Sequence, residues 1–80
     1  MSLRIIVKTD QIKRWIGERN GQAALRTGTD DDLAVFFDGQ KSGYEPVSVD
    51  EFVETMKANH LVLMVDQEPG KTFHKFVRHG

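Results

Sequence analysis

The chain has 80 residues and a mass of 9.1 kDa, with 39% hydrophobic and 29% charged residues, no cysteine and two prolines. That is room for one domain with one core over residues 1–80, and it excludes a disordered, fibrous or disulfide-stapled chain. A net charge of −1 excludes bulk attraction to nucleic acid or anionic lipid, so binding of that kind falls to a local patch.

Residues 4–8, Arg4-Ile5-Ile6-Val7-Lys8, are β-branched and read as a short strand, with 1–3 expected to be disordered or left over from expression. From Asp10 the period changes. Ile12, Trp15, Ile16 and Arg19 fall at i, i+3, i+4 and i+7, which puts an apolar stripe and an arginine stem on one face of a helix over about 10–19. Thr9 or Asp10 is expected to cap its start, and Asn20-Gly21 supplies a residue tolerant of positive φ at its end. Gly17 costs this helix about 1 kcal/mol relative to alanine, so tertiary packing must hold it, with Trp15 as anchor.

Gln22–Thr27 and Leu33–Phe37 read as the two strands of a hairpin around the polar turn Gly28–Asp32. Asp38-Gly39 closes it, and Gln40–Pro46 is expected to be a loop. Ser48-Val49-Asp50-Glu51 has the form of a capping box, with Val47 and Phe52 placed for the accompanying hydrophobic staple. It predicts a second helix over about 49–58, with Val49, Phe52, Val53 and Met56 as its apolar stripe and Asn59 at its end.

Leu61–Val65 is an apolar run of strand length. Glu68-Pro69-Gly70-Lys71 has proline and glycine where a type II turn wants them. In the return segment 72–78, Phe73, Phe76 and Val77 fit a helix or a bulged strand, and the turn favours the strand. No internal repeat is visible. The expected fold is α+β: one sheet of about four mostly antiparallel strands with two helices on one face. No apolar run approaches the roughly 20 residues of a membrane span, and no secretory signal opens the chain, so a cytoplasmic location is expected.

Several segments together resemble a family of short bacterial proteins that often carry the name 1,4-alpha-glucan branching enzyme without the features of one. Its members have an Ile-Arg-Arg-Trp helix ending in Glu-Arg-Gly-Gly-x-Pro-Ala. Here Ile12-Lys13-Arg14-Trp15 leads to Glu18-Arg19-Asn20-Gly21-Gln22-Ala23-Ala24, with Ala23 in place of the proline. The Ser-Trp-Glu-Glu-Phe-Phe block of relatives stands as Ser48-Val49-Asp50-Glu51-Phe52-Val53, and the Phe-x-Lys-x-Val ending as Phe73-His74-Lys75-Phe76-Val77. The resemblance runs from about Ile12 to Arg78 and implies no established activity. Glucan branching itself needs a barrel of ~250 residues to carry its carboxylates and a polymer groove.

Chemistry-bearing residues are few. Asp30-Asp31-Asp32 lacks the spacing of a calcium loop and reads as a solvated turn. His60, His74 and His79 have neither cysteine partners nor zinc spacing, and Ser48 is explained by its cap. Gly39-Gln40-Lys41-Ser42 differs from a phosphate-binding loop, because Gln40 and Val35 stand where glycines are required. Trp15, Phe36, Phe37, Phe52 and Phe73 are read as core. No catalytic, cofactor-binding or metal-binding residue is assigned.

The residues therefore predict a non-enzymatic interaction or accessory module that meets a protein partner or a second copy of itself. The alternative is weak nucleic-acid binding through Lys13, Arg14, Arg19, Lys75 and Arg78, should the first helix lie beside the last strand. A small hydrolase using His74 and a nearby carboxylate would need a cleft that holds both.

Overall fold

A computed structural model describes residues 1–28, 32–39 and 42–78. The described elements run β1 (Leu3–Ile6), α1 (Thr9–Glu18), β2 (Gln22–Arg26), β3 (Leu33–Phe36), β4 (Tyr44–Pro46), α2 (Val49–Ala58), β5 (Leu61–Asp66) and β6 (His74–Arg78). The fold is α+β, but the single four-stranded sheet is replaced by two three-stranded antiparallel sheets, ordered β1-β5-β6 and β3-β2-β4. Two segments account for the difference. β1 begins at Leu3, inside the segment 1–3 expected to be disordered, and pairs with β5. Tyr44–Pro46, read as loop, pairs along the free side of β2, anchored by Val47 N–H to the Ala23 carbonyl and Thr27 N–H to the Gly43 carbonyl.

These connections divide the chain into two βαββ halves about 40 residues apart. Thr9 and Val49 open the helices, Lys8 and Ser48 stand just before them with extended backbones, and Asn20 and His60 leave them in the left-handed region at φ 55° and 56°. Each half contributes a hairpin to one sheet (β2-β3, β5-β6) and sends its first strand to the other sheet (β1 to β5, β4 to β2). The structure thus contains the repeat that the sequence does not display. Equivalent positions keep polarity without identity: Ile12 with Phe52, Ile16 with Met56, Ala23 with Leu63.

One core joins the halves. Ile12, Trp15 and Ile16 of α1 meet Phe52, Val53 and Met56 of α2, with Ile6, Leu63 and Val65 of the first sheet and Ala23, Leu33 and Val35 of the second. Burying such side chains contributes about 1.5–3 kcal/mol each, which is what fixes the glycine-containing α1. Ser48 Oγ accepts from Glu51 N–H at 3.2 Å, the expected cap, and Val47 joins the same cluster as Phe52. The expected cap of α1 is corrected: Lys8 occupies that position and makes no side-chain capping bond. Gly21 is needed for closeness. A Cβ there would stand 2.8 Å from Phe37 Cε1 and 3.1 Å from Ile16 Cγ2.

The type II turn forms, with Lys71 N–H bonded to the Glu68 carbonyl at 3.2 Å and Gly70 at φ 79°. The return segment is the strand β6. Among the described residues, no helix is long and apolar enough to cross a membrane.

Candidate interaction surface

Strand alternation sorts the first sheet into two faces. Ile6, Leu63 and Phe76 stand opposite one another across the strands and point into the core. By the same registers Leu3 and Ile5, then Val62 and Met64, then Lys75 and Val77, share the outer face. Of the described large hydrophobics that are exposed, Leu3 (46%), Ile5 (52%) and Phe73 (45%) follow this outward alternation; Val7, beyond the end of β1, lines a cleft of about 490 Å³ with Val53, Met56 and Lys57 of α2, and Met1 precedes the strand. Val62 is buried, and Met64 and Val77 are half-buried. Both helices and the second sheet belong to the core on the opposite face.

The corresponding face of the second sheet is shielded by its own side chains. Phe36 on β3 and Tyr44 on β4 flank the central strand and meet edge to face at 5.2 Å. Beneath them Ala24, with no exposed surface, leaves the room for the rings to close. The two outer faces are therefore unlike: one is covered by an aromatic pair, the other is open and apolar.

One end of the open face is tied down by Asp66. Its carboxylate, buried, accepts from Glu68 N–H at 3.0 Å and from Ser2 N–H at 3.3 Å. The Glu68 bond is the main cause that holds this carboxyl below its ordinary value. Burial pushes it upward, and the Ser2 bond, the N-terminal ammonium and Lys71 push it down. The main-chain carbonyl of Asp66 accepts from Trp15 Nε1 at 2.9 Å, locking α1 to the end of β5.

The five basic residues of the nucleic-acid reading do not converge as a set. The Arg19 side chain is only 4% exposed, and its three nitrogens all bond chain carbonyls: Nε to Lys71, Nη1 to Trp15 at 3.1 Å, and Nη2 to Glu68 at 2.8 Å and Asp66 at 3.3 Å. The guanidinium also lies 4.5 Å over the Trp15 ring. Arg19 is thus a rivet between α1 and the β5–β6 turn, with no nitrogen directed to a phosphate. Lys13 and Arg14 are exposed on α1. Lys75 stands on the outer face of the first sheet, and Arg78 pairs with Leu61 at the far end of β6. Arg14 and Arg19 are the two brought together, in a cleft of about 460 Å³ beside β1 that Arg4, Asp10 and Glu18 also line.

His74 is half-buried with its ring against Trp15, Phe37 and Phe76, and its Nδ1 lies 2.9 Å from the Thr72 carbonyl. No carboxylate among the described residues pairs with it. Asp32 lies 3.4 Å from Arg26 and from the Tyr44 hydroxyl. Asp30, Asp31, Gln40, Lys41 and His79 lie outside the described residues. Of the aromatics read as core, Trp15 and Phe52 are buried, Phe36 and Phe37 are half-buried, and Phe73 is a correction, standing on the open face.

Sequence reasoning missed Leu3, Ile5 and Val7. The signal was present as apolar residues at every odd position from Met1 to Val7, alongside the core-facing Ile6. A strand apolar on both sides needs two covering layers, and a chain this short supplies one. Comparison with protein-family models, curated proteins and solved structures finds no match to the chain.

Proposed function

We propose that the chain is a cytoplasmic, non-enzymatic interaction module that docks a partner polypeptide on the outer face of the β1-β5-β6 sheet. One observation carries this reading: the exposed residues Leu3, Ile5 and Phe73 fall on the outer face of one sheet, opposite the core that both helices share. Scattered exposed hydrophobics need no explanation, whereas a contiguous set on one flat face is what a docking surface looks like. The resemblance to the short branching-enzyme-named family is kept within this proposal and adds no turnover to it. The nucleic-acid alternative has less support, because Arg19 is committed to carbonyls and Lys75 stands on the face away from the helices.

The test compares two baits in extract from the native host: the wild-type chain and Leu3→Thr/Ile5→Thr/Phe73→Thr, whose changes fall on exposed side chains. A defined set of proteins held by the first and lost by the second is expected, with equal thermal midpoints for both baits. Equal capture by both baits would overturn the reading.

A further inference from the structure

Among the described residues β1 has one edge without a strand partner, and the phase of its ladder fixes what that edge offers. Gln67 N–H bonds the Ser2 carbonyl, so Ser2, Arg4 and Ile6 turn their main-chain groups toward β5. Leu3 and Ile5 turn theirs, N–H and C=O alike, outward. The equivalent edge of the other sheet is built differently. The bonds of Gly43 and Val47 to β2 turn Tyr44 and Pro46 outward on β4, and a proline there has no N–H to give. Natural sheets blunt their edges with proline, charge or brevity. β4 spans three residues and ends in proline; β1, Leu-Arg-Ile-Ile, has Arg4 alone.

We propose that the free edge of β1 pairs antiparallel with β1 of a second copy, about a twofold axis at Ile5, joining two three-stranded sheets into one of six strands. The proposal goes beyond the interaction-module reading, since it uses the edge of the sheet and not its outer face. The register follows from two facts. Only residues whose main-chain groups point outward can sit at hydrogen-bonded positions, which selects Leu3, Ile5 and Val7 and rules out a centre at Arg4. A centre at Arg4 would also set one guanidinium against the other. With Ile5 on the axis, Ile5 meets its own copy through a reciprocal pair of N–H···O bonds, and Leu3 meets Val7.

Charge on α1 supports the same register. The helix runs back over β1, since Trp15 and Arg19 near its end bond Asp66, the residue opposite Leu3. Four helical residues advance about 6 Å and two strand residues about 6.6 Å, so Asp10, Arg14 and Glu18 stand level with Ile6, Arg4 and Ser2. All three helix residues line the cleft beside β1. A twofold at Ile5 falls midway between Asp10 and Arg14, so each Asp10 faces Arg14 of the partner copy. Among the described residues neither group makes an ion pair within its own chain. The open apolar faces then lie side by side on the same surface of the joined sheet, doubling its width.

The experiment uses the full chain, which has no cysteine of its own. Under mild oxidation Ile5→Cys should form a covalent dimer, and Phe73→Cys, on the same face but at the opposite edge, should not. Ile5→Pro should keep its far-ultraviolet spectrum and sediment as a monomer, because the Ile5 N–H makes no bond within the chain. Asp10→Arg and Arg14→Asp should each weaken the dimer about tenfold, and the double exchange should restore it. The pairing is overturned by a wild-type chain that sediments as a monomer up to about 1 mM, by cross-linking of Phe73→Cys in preference to Ile5→Cys, or by a double exchange no tighter than the single ones. A monomer whose open face still captures its partner sinks the pairing and leaves the module reading standing. A dimer whose partner capture ignores the face does the reverse.

Discussion

Asp66 gathers bonds from three parts of the chain: its carbonyl takes Trp15 and Arg19, and its carboxylate takes the N–H groups of Glu68 and Ser2. Because the folded carboxyl is held below its ordinary value of about 3.9, the unfolded chain takes up this proton first as acid is added. Its contribution to stability is therefore complete above pH ~4 and is lost as pH falls toward the folded value. Asp66→Asn keeps an acceptor oxygen and loses the charge. Urea midpoints measured from pH 6 to pH 2.5 should fall more steeply in the wild type than in this variant, and parallel curves would refute the assignment. Nothing near Asp66 in the sequence announces this role, since its partners lie up to 64 residues away. Arg19 was legible by half: its i+7 spacing puts it on the buried stripe of α1, but three of the four carbonyls that claim it belong to residues 66–71. Phe73 went the other way, an aromatic read as core that the β6 alternation turns outward.

The two helices were legible almost to the residue, because a 3.6-residue period and local caps are written in neighbouring positions. The strands were legible as segments and not as pairings. β1 finds its partner about 60 residues on, and β4 is too short and too poor in β-formers to register. The repeat offers an internal control for the helix starts. Lys8 and Ser48 stand at equivalent positions with extended backbones, and only Ser48 bonds a helical N–H. Lys8→Ser should raise the unfolding free energy by about 0.5–1 kcal/mol, and Ser48→Ala should lower it by about 1 kcal/mol. Chemical denaturation of the two variants checks both signs, and a Lys8→Ser chain no stronger than the wild type would show that α1 takes no benefit from a cap.

Exchange of the first strands couples the two sheets. Removing β1 strips an edge from the sheet built by the second hairpin, and removing β4 does the same to the first. Both helices also share one core with both sheets. Neither half can melt and leave the other intact, so unfolding should be two-state. Fluorescence of the single tryptophan, Trp15, and far-ultraviolet circular dichroism should trace one curve in urea; two separated midpoints would show that the halves are independent. The repeat itself was illegible because the constraint on each position is polarity and volume, which many residues meet, while the strand exchange leaves no local mark. Ala24 has a wider consequence than its size suggests. Its methyl lets Phe36 and Tyr44 seal the back of the second sheet. A bulkier side chain would wedge those rings apart and open a second apolar face on the far side of the core, so the methyl of one small residue keeps that side of the molecule closed.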